Sequence, residues 1–277
     1  MNLRETPPTA RMAAMSADPF MRLALRLARR GYGRTAPNPV VGAVLVKGGK
    51  VIGRGWHRQA GGPHAEIEAL RDAQKRGHNP RGATLFVTLE PCCTHGRTPP
   101  CTEAIIAARI KRVVGGATDP NPNHAGKGFK ILRKAGITVD GWGEHPRKPL
   151  KSATPGSRGR SPHRQLADEC VKVNEAFNHW IVNRTPFVTV KAAMTLDGKI
   201  ATANRAVHHF SSPRDLTHLY ELRATANAVM CGARTVEISQ SVLDGGGEKF
   251  QRHRRGLGLA ENALRIVVSG SGSLDPD

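Results

Sequence analysis

The segment His64-Ala65-Glu66, followed downstream by Pro91-Cys92 and Pro100-Cys101, constrains this chain more than any other. One imidazole and two thiols so far apart in sequence act together only if strands and helix starts deliver them to one point. Neutral imidazole and thiolate are the ligands that a borderline-soft Zn2+ prefers, and three protein ligands leave a fourth tetrahedral position open for water. Bound zinc lowers the pKa of water from about 15.7 toward about 7. Two thiolates cancel the ion's formal charge and weaken that effect, so a base is needed nearby. Glu66, two residues from His64, can take the proton and return it to a leaving amine. The implied reaction class is hydrolytic deamination of an amidine-like ring carbon.

The general zinc-deaminase signature is H-x-E followed by P-C-x-x-C. This chain matches its first half, but eight residues separate Cys92 from Cys101 where the signature has two. Cys93 is therefore a spare or a competing ligand. Blander readings exist: His64 alone reads as a polar residue at a helix start, and lone cysteines read as small core hydrophobes. A structural zinc site with Cys93 or His95 as fourth ligand is the stronger rival, and it leaves Glu66 without a role.

At 277 residues the chain is long enough for two ordinary domains. Five cysteines, three of them inside the motif, are not a disulfide framework, and they point to a reducing compartment, the cytoplasm. Residues 1–17 lack the apolar core of a signal peptide and read as a disordered leader. No apolar run is long enough to span a bilayer, so no membrane partner is expected. The formal charge of +20 suits an anionic partner. Aromatic residues make up only 4% of the chain, which leaves few stacking platforms and argues against nucleic acid. A homo-oligomer is left open.

Hydrophobic periodicity predicts a helix from Asp18 to Gly31, a strand over Val40–Val46, and a hairpin turn at Lys47–Lys50 into Val51 and Ile52. It also predicts a helix over Ala65–Arg76, a strand over Ala83–Thr88 and a helix over Thr102–Ala108 opened by Cys101. His64 and Glu66 then sit at a helix start, where the change from loop to helix lets both face one metal. A helix N-terminus lowers a thiol's pKa, which favours thiolate at Cys101. Strand Arg112–Ala117, helix Gly128–Ala135 and strand Ile137–Val139 complete an alternating pattern, a three-layer α/β domain over 18–143. Residues 144–165 read as a flexible basic linker and 166–277 as a second domain. Leu166, Cys170, Val173, Phe177 and Trp180 there mark one face of a helix that docks on a domain. Phe187–Ala193 is expected as a strand, Pro213–Ala226 as a helix, and Ala228–Cys231 and Arg265–Val268 as buried strands.

Several motifs carry a family resemblance: Ala-Pro-Asn-Pro-Val-Val-Gly-Ala-Val at Ala36, His-Ala-Glu at His64, the Glu90 to Cys101 run, and Asp-Pro-Asn-Pro at Asp119 followed by Gly126-Lys127-Gly128. Over about Asp18–Trp142 they resemble the deaminase half of the bifunctional riboflavin biosynthesis deaminase/reductase family, in which the long cysteine spacing is usual. The resemblance implies a cytidine-deaminase-like fold, zinc held by His64, Cys92 and Cys101, and Glu66 as proton donor and acceptor. The implied substrate is the phosphoribosylated pyrimidine 2,5-diamino-6-(5-phosphoribosylamino)pyrimidin-4(3H)-one, with Asn38 bonding its ring. Arg97 and Lys127 are expected at its phosphate. A nucleic-acid (tRNA) base deaminase is the enzymatic alternative.

The second half resembles the family's reductase domain, a dihydrofolate-reductase-like fold that uses NADPH, through Asn174–Asn178, Phe187–Lys191 and Thr195–Ala201. It is expected as a partial domain, because the chain stops at Asp277 before the glycine-rich segment expected to follow. Ala193 and Thr235 match cofactor-contacting positions and Arg223 a substrate-contacting one. Departures from the family pattern fall at Arg205–His209, Ser239 and Ser241.

Overall fold

The computed structural model describes residues 18–96, 99–142, 162–200, 211–239, 243–270 and 272. The leader, most of the expected linker, Arg97, Arg205–His209 and Ser241 lie outside them. Contacts divide the chain into two compact units, Met1–Phe187 and Val188–Asp277.

The first unit is built on a five-stranded sheet of β1 (Gly42–Lys47), β2 (Lys50–Trp56), β3 (Thr84–Val87), β4 (Arg112–Gly115) and β5 (Thr138–Gly141), in the order β2-β1-β3-β4-β5. β1 runs antiparallel to β2 and β3, whereas β3, β4 and β5 are parallel. The β1–β2 turn holds Gly48 and Gly49 at φ 56 and 74, the pair of positive values that matches a tight hairpin to strand twist. Strand pleating sends successive side chains to opposite faces. Val44, Val46, Phe86 and Val114 pack on one face with helix α1 (Asp18–Ala28). Ala43, Leu45, Leu85, Val87 and Val113 pack on the other with α2 (Ala65–Lys75), α3 (Cys101–Ala107) and α4 (Lys127–Lys134). Two buried faces make the expected three layers.

The single helix expected over Leu166–Trp180 in the second domain is two helices, and both belong here. Helix α5 (Pro162–Lys172) puts Leu166, Cys170 and Val173 into the core beside Met21 and Leu25 of α1. His163 Nδ1 also lies 2.9 Å from the Asp18 carboxylate. Helix α6 (Glu175–Asn183) follows directly, and Asn174 before it holds the backbone of Val40 twice: Val40 N–H donates to Oδ1 at 2.8 Å, and Nδ2 donates to the Val40 carbonyl at 2.9 Å. The boundary expected at 166 therefore falls near 187, because the apolar stripe of α5 finds its partner on α1. The expected linker also closes early, since residues 162–165 already form the first turn of α5.

The second unit contains α7 (Pro213–Thr225), β6 (Ala228–Gly232), α8 (Ala233–Ser239), α9 (Glu248–Gly256) and β7 (Leu264–Val268), with β6 and β7 parallel. Ser212 and Asp215 form a reciprocal capping box at the start of α7. At its other end Arg254 donates to the carbonyls of Ala224 and Ala226, so a cation satisfies the orphan acceptors of that helix terminus. Phe187–Ala193 is not a strand. It has no ladder partner among the described residues, and Val188 and Val190 are exposed. The strands expected to be buried, β6 and β7, keep Met230, Leu264 and Val268 exposed.

Candidate metal centre and active site

The site lies at the carboxyl ends of β3 and β4. Parallel α/β sheets place ligand crevices there, because loops diverge toward helices on the two faces. Helix α2 reaches it by lying unusually close to β2: a Cβ on Gly55 would stand 2.2 Å from the Ala65 carbonyl, and one on Gly53 2.3 Å from that of Ala69. Only glycine permits that approach, and it sets the height of α2's first turn. His64 is the extended residue before the helix (ψ 164) and Glu66 its second residue, so both side chains enter the same space.

Cys92 comes from the loop after β3 and Cys101 opens α3. Their long spacing is closed by α3's own unsatisfied backbone donors: Cys101 N–H donates to Cys92 Sγ at 3.3 Å and Thr102 N–H to the Cys92 carbonyl at 3.2 Å. His64 Nδ1 stands 3.4 Å from Cys92 Sγ and 3.3 Å from Cys101 Sγ. With Zn–S and Zn–N bonds of about 2.3 and 2.0–2.1 Å, the edge of a tetrahedral site measures about 3.5 Å. The three donor atoms, all within 4.8 Å of one another, thus fit zinc in both spacing and softness. Among the described residues neither Cys93 nor His95 joins this group. Cys93 faces His124 Nδ1 at 3.6 Å, and His95 faces Glu103.

In the metal-free site the two sulfurs share one strong interaction: the hydrogen bond from Cys101 and that with His64 hold the Cys92 thiol well below the usual range. Cys101 is pushed up by the neighbouring Cys92 sulfur and by burial. The helix N-terminus acts on Cys92 because the free N–H of Cys101 points at that sulfur. His64 is raised, first by its contact with Cys92. Glu66 is 3% exposed, and burial, with the Cys92 charge second, pushes its carboxyl up to about 7.

A cavity of about 300 Å3 joins His64, Glu66 and Cys92 to Asn38, His57, Asp119, Asn121 and residues of α6. His57, nearly buried, was missed in the sequence, where a second histidine upstream of His64 was the available signal. Its Nδ1 lies 3.0 Å from the Pro63 carbonyl, which only accepts, so Nδ1 carries the proton and Nε2 accepts from Asn38 Nδ2 at 3.1 Å. Burial lowers the His57 pKa and keeps that neutral form. With Nδ2 engaged by His57, Asn38 Oδ1 is the acceptor left for a ligand N–H.

Glu90 was likewise missed as a positioning group. It is buried, and its carboxylate accepts from the backbone N–H groups of Asp119, Gly126 and Gly128 at 2.8–3.1 Å. It thereby ties the Asp119–Gly128 loop to the strand end that delivers Cys92.

Of the other expected residues, Lys127 is exposed at the start of α4 and does not line the cavity. In the second unit Ala193 is half-buried at the end of the Phe187–Ala193 segment and Thr235 lies on the surface of α8. Arg223 donates to the Asp244 carbonyl at 3.0 Å beside Tyr220. No helix among the described residues is long and apolar enough to cross a membrane.

Family comparison agrees with this geometry. The cytidine and deoxycytidylate deaminase zinc-binding region matches residues 15–117, which makes the first unit a zinc-binding deaminase domain by class. The RibD C-terminal domain matches residues 186–277. The riboflavin biosynthesis protein RibD of Synechocystis is 42% identical over 93% of this chain, and that of Escherichia coli 35% identical over 95%. Among solved structures, a Thermotoga maritima diaminohydroxyphosphoribosylaminopyrimidine deaminase/5-amino-6-(5-phosphoribosylamino)uracil reductase superposes over 95% of the chain with a TM-score of 0.75 and 36% identity. Acinetobacter baumannii RibD superposes over 94% with a TM-score of 0.70 and 33% identity. The chain belongs to the RibD family of riboflavin biosynthesis proteins. It spans 60% of the Synechocystis protein, 65% of the Escherichia coli protein and 66% of the Thermotoga chain.

Proposed function

We propose that the first unit hydrolytically deaminates 2,5-diamino-6-(5-phosphoribosylamino)pyrimidin-4(3H)-one, replacing its 2-amino group by oxygen from water and releasing ammonia. The observation that carries this reading is a buried carboxyl, Glu66, lining one cavity with His64 and Cys92, which with Cys101 make a cluster of three zinc-type ligands among the described residues. His64, Cys92 and Cys101 would hold the metal, which when bound supplies Lewis-acid activation of the attacking water. Glu66 takes the proton of that water and delivers it to the departing amine. A carboxyl near 7 suits both transfers, since a general acid–base works best with a pKa close to the operating pH. Asn38, fixed by His57, offers Oδ1 to a ring N–H and so orients the carbon under attack. Family membership favours this pyrimidine over a nucleic-acid base.

Glu66→Gln keeps shape and a hydrogen bond but cannot carry the proton. It is expected to retain zinc by elemental analysis and to lose about 10²–10⁴-fold in the rate of ammonia release. Wild-type turnover by the variant would overturn the assignment. For the second unit we propose the family's NADPH-dependent reduction of the deaminated product, supported by the RibD C-terminal match. The Arg223 guanidinium and Thr235 hydroxyl are donors of the kind a phosphorylated ligand needs, and Ala193 offers a small side chain beside a cofactor. NADPH binding, read by fluorescence titration, is the expected outcome, and absence of any binding would sink the proposal.

A further inference from the structure

We propose that Arg184, at the end of α6, binds the phosphate of the deaminase substrate, so that the helix following the sheet domain is part of the deaminase site. The inference rests on the phosphoribosylated-pyrimidine reading above. Phe177, Trp180, Ile181 and Arg184 line the same cavity as Asn38, His57 and Glu66. Their spacing is that of one helix face, and it carries the wall about 10 Å from Phe177 to Arg184, on the order of the length of a ribose 5-phosphate arm. The near end of this wall is fixed, because Asn174 clamps Val40, two residues from Asn38, through two buried hydrogen bonds.

Charge makes the assignment specific. The described lining includes the carboxyl groups of Glu66, Glu90 and Asp119, and Arg184 is its one arginine or lysine. A phosphate dianion entering there is repelled by the carboxylates and attracted at the Arg184 end. The residue is also ill suited to its backbone position. Arg184 closes α6 in the left-handed conformation at φ 57, with its N–H on the Trp180 carbonyl at 3.0 Å, a cap that glycine adopts with less strain. The turn does not call for arginine. Its guanidinium lies 5.7 Å from the Trp180 ring centre and reaches solvent, so its donors are available to a ligand.

The backbone supplies the clean variant, Arg184→Gly, which removes the cation and relieves the cap. KM for the phosphorylated pyrimidine is expected to rise about tenfold or more, with kcat within about twofold, zinc content unchanged and Tm not lowered. KM for the dephosphorylated ribosylamino compound should not move, and Arg184→Lys should recover part of the loss. A second arm titrates ribose 5-phosphate by calorimetry into wild type and Arg184→Gly, with binding expected only in wild type. An active wild type whose KM ratio between the two substrates ignores Arg184 overturns this inference. A wild type that deaminates neither compound yet binds ribose 5-phosphate through Arg184 overturns the substrate reading instead. Inactivity together with ribose 5-phosphate binding that is absent or indifferent to Arg184 overturns both.

Discussion

Glu66 and His57 show how burial sets the working form of a side chain. His57 is kept neutral and hands Asn38 a defined orientation, while Glu66 is kept protonatable near 7. The second fact has a thermodynamic consequence for the metal-free protein. A carboxyl whose folded pKa lies above its unfolded value near 4.5 binds more protons folded than unfolded. Its effect on stability is nil below about 4.5, grows unfavourable as pH rises from there through about 7, and is constant above. A shift of that size is on the order of 3 kcal/mol. Urea denaturation of the apoprotein at pH 5 and pH 8 is therefore expected to show a steeper loss of stability with pH in wild type than in Glu66→Gln. Equal slopes would mean the carboxyl is not desolvated. At this scale the sequence was informative about chemistry and silent about environment. His64, Glu66, Cys92 and Cys101 were legible from type and spacing, whereas the partners of His57, the Pro63 carbonyl and the Asn38 amide, and those of Glu90, three backbone N–H groups, meet them only through folding.

Elements place those residues through a few close approaches. Gly55→Ala would put a methyl carbon 2.2 Å from the Ala65 carbonyl, forcing β2 and the first turn of α2 apart. We expect a loss of about 1–3 kcal/mol and substoichiometric zinc by elemental analysis. Gly48→Asn in the β1–β2 turn, where a Cβ meets nothing within 4 Å, should keep full zinc, since asparagine tolerates positive φ. If both variants load zinc equally, the close packing does not set the ligand geometry. Element type was largely readable here, because short continuous apolar runs mark β1, β3 and β4, which are buried on both faces, and helical spacing of apolar residues marks α1. The exception, Phe187–Ala193, has the β-branched content of a strand but no neighbour among the described residues to complete a ladder. Strand character resides in the pairing as much as in the residue.

At the scale of the molecule, α5 completes the core of the zinc-binding unit. Leu166 is fully buried there with Cys170 and Val173. Leu166→Ala is expected to cost about 2–5 kcal/mol and to lower the denaturant midpoint at which zinc is released to a chromogenic chelator. An unchanged midpoint would return α5 to the second unit. The stripe Leu166, Cys170, Val173 was visible in the sequence, but not the surface it covers. Residue type and spacing alone fix which atoms can hold a metal and move a proton, and most of the α/β order, because ligand chemistry and hydrophobic period are local properties. Packing alone settles that α5 and α6 belong to the zinc unit, that the Cys101 N–H points at the Cys92 sulfur, and that Asn174 closes on Val40. Each of those depends on contacts between residues distant in sequence, whose burial and hydrogen bonding exist only once the layers have packed.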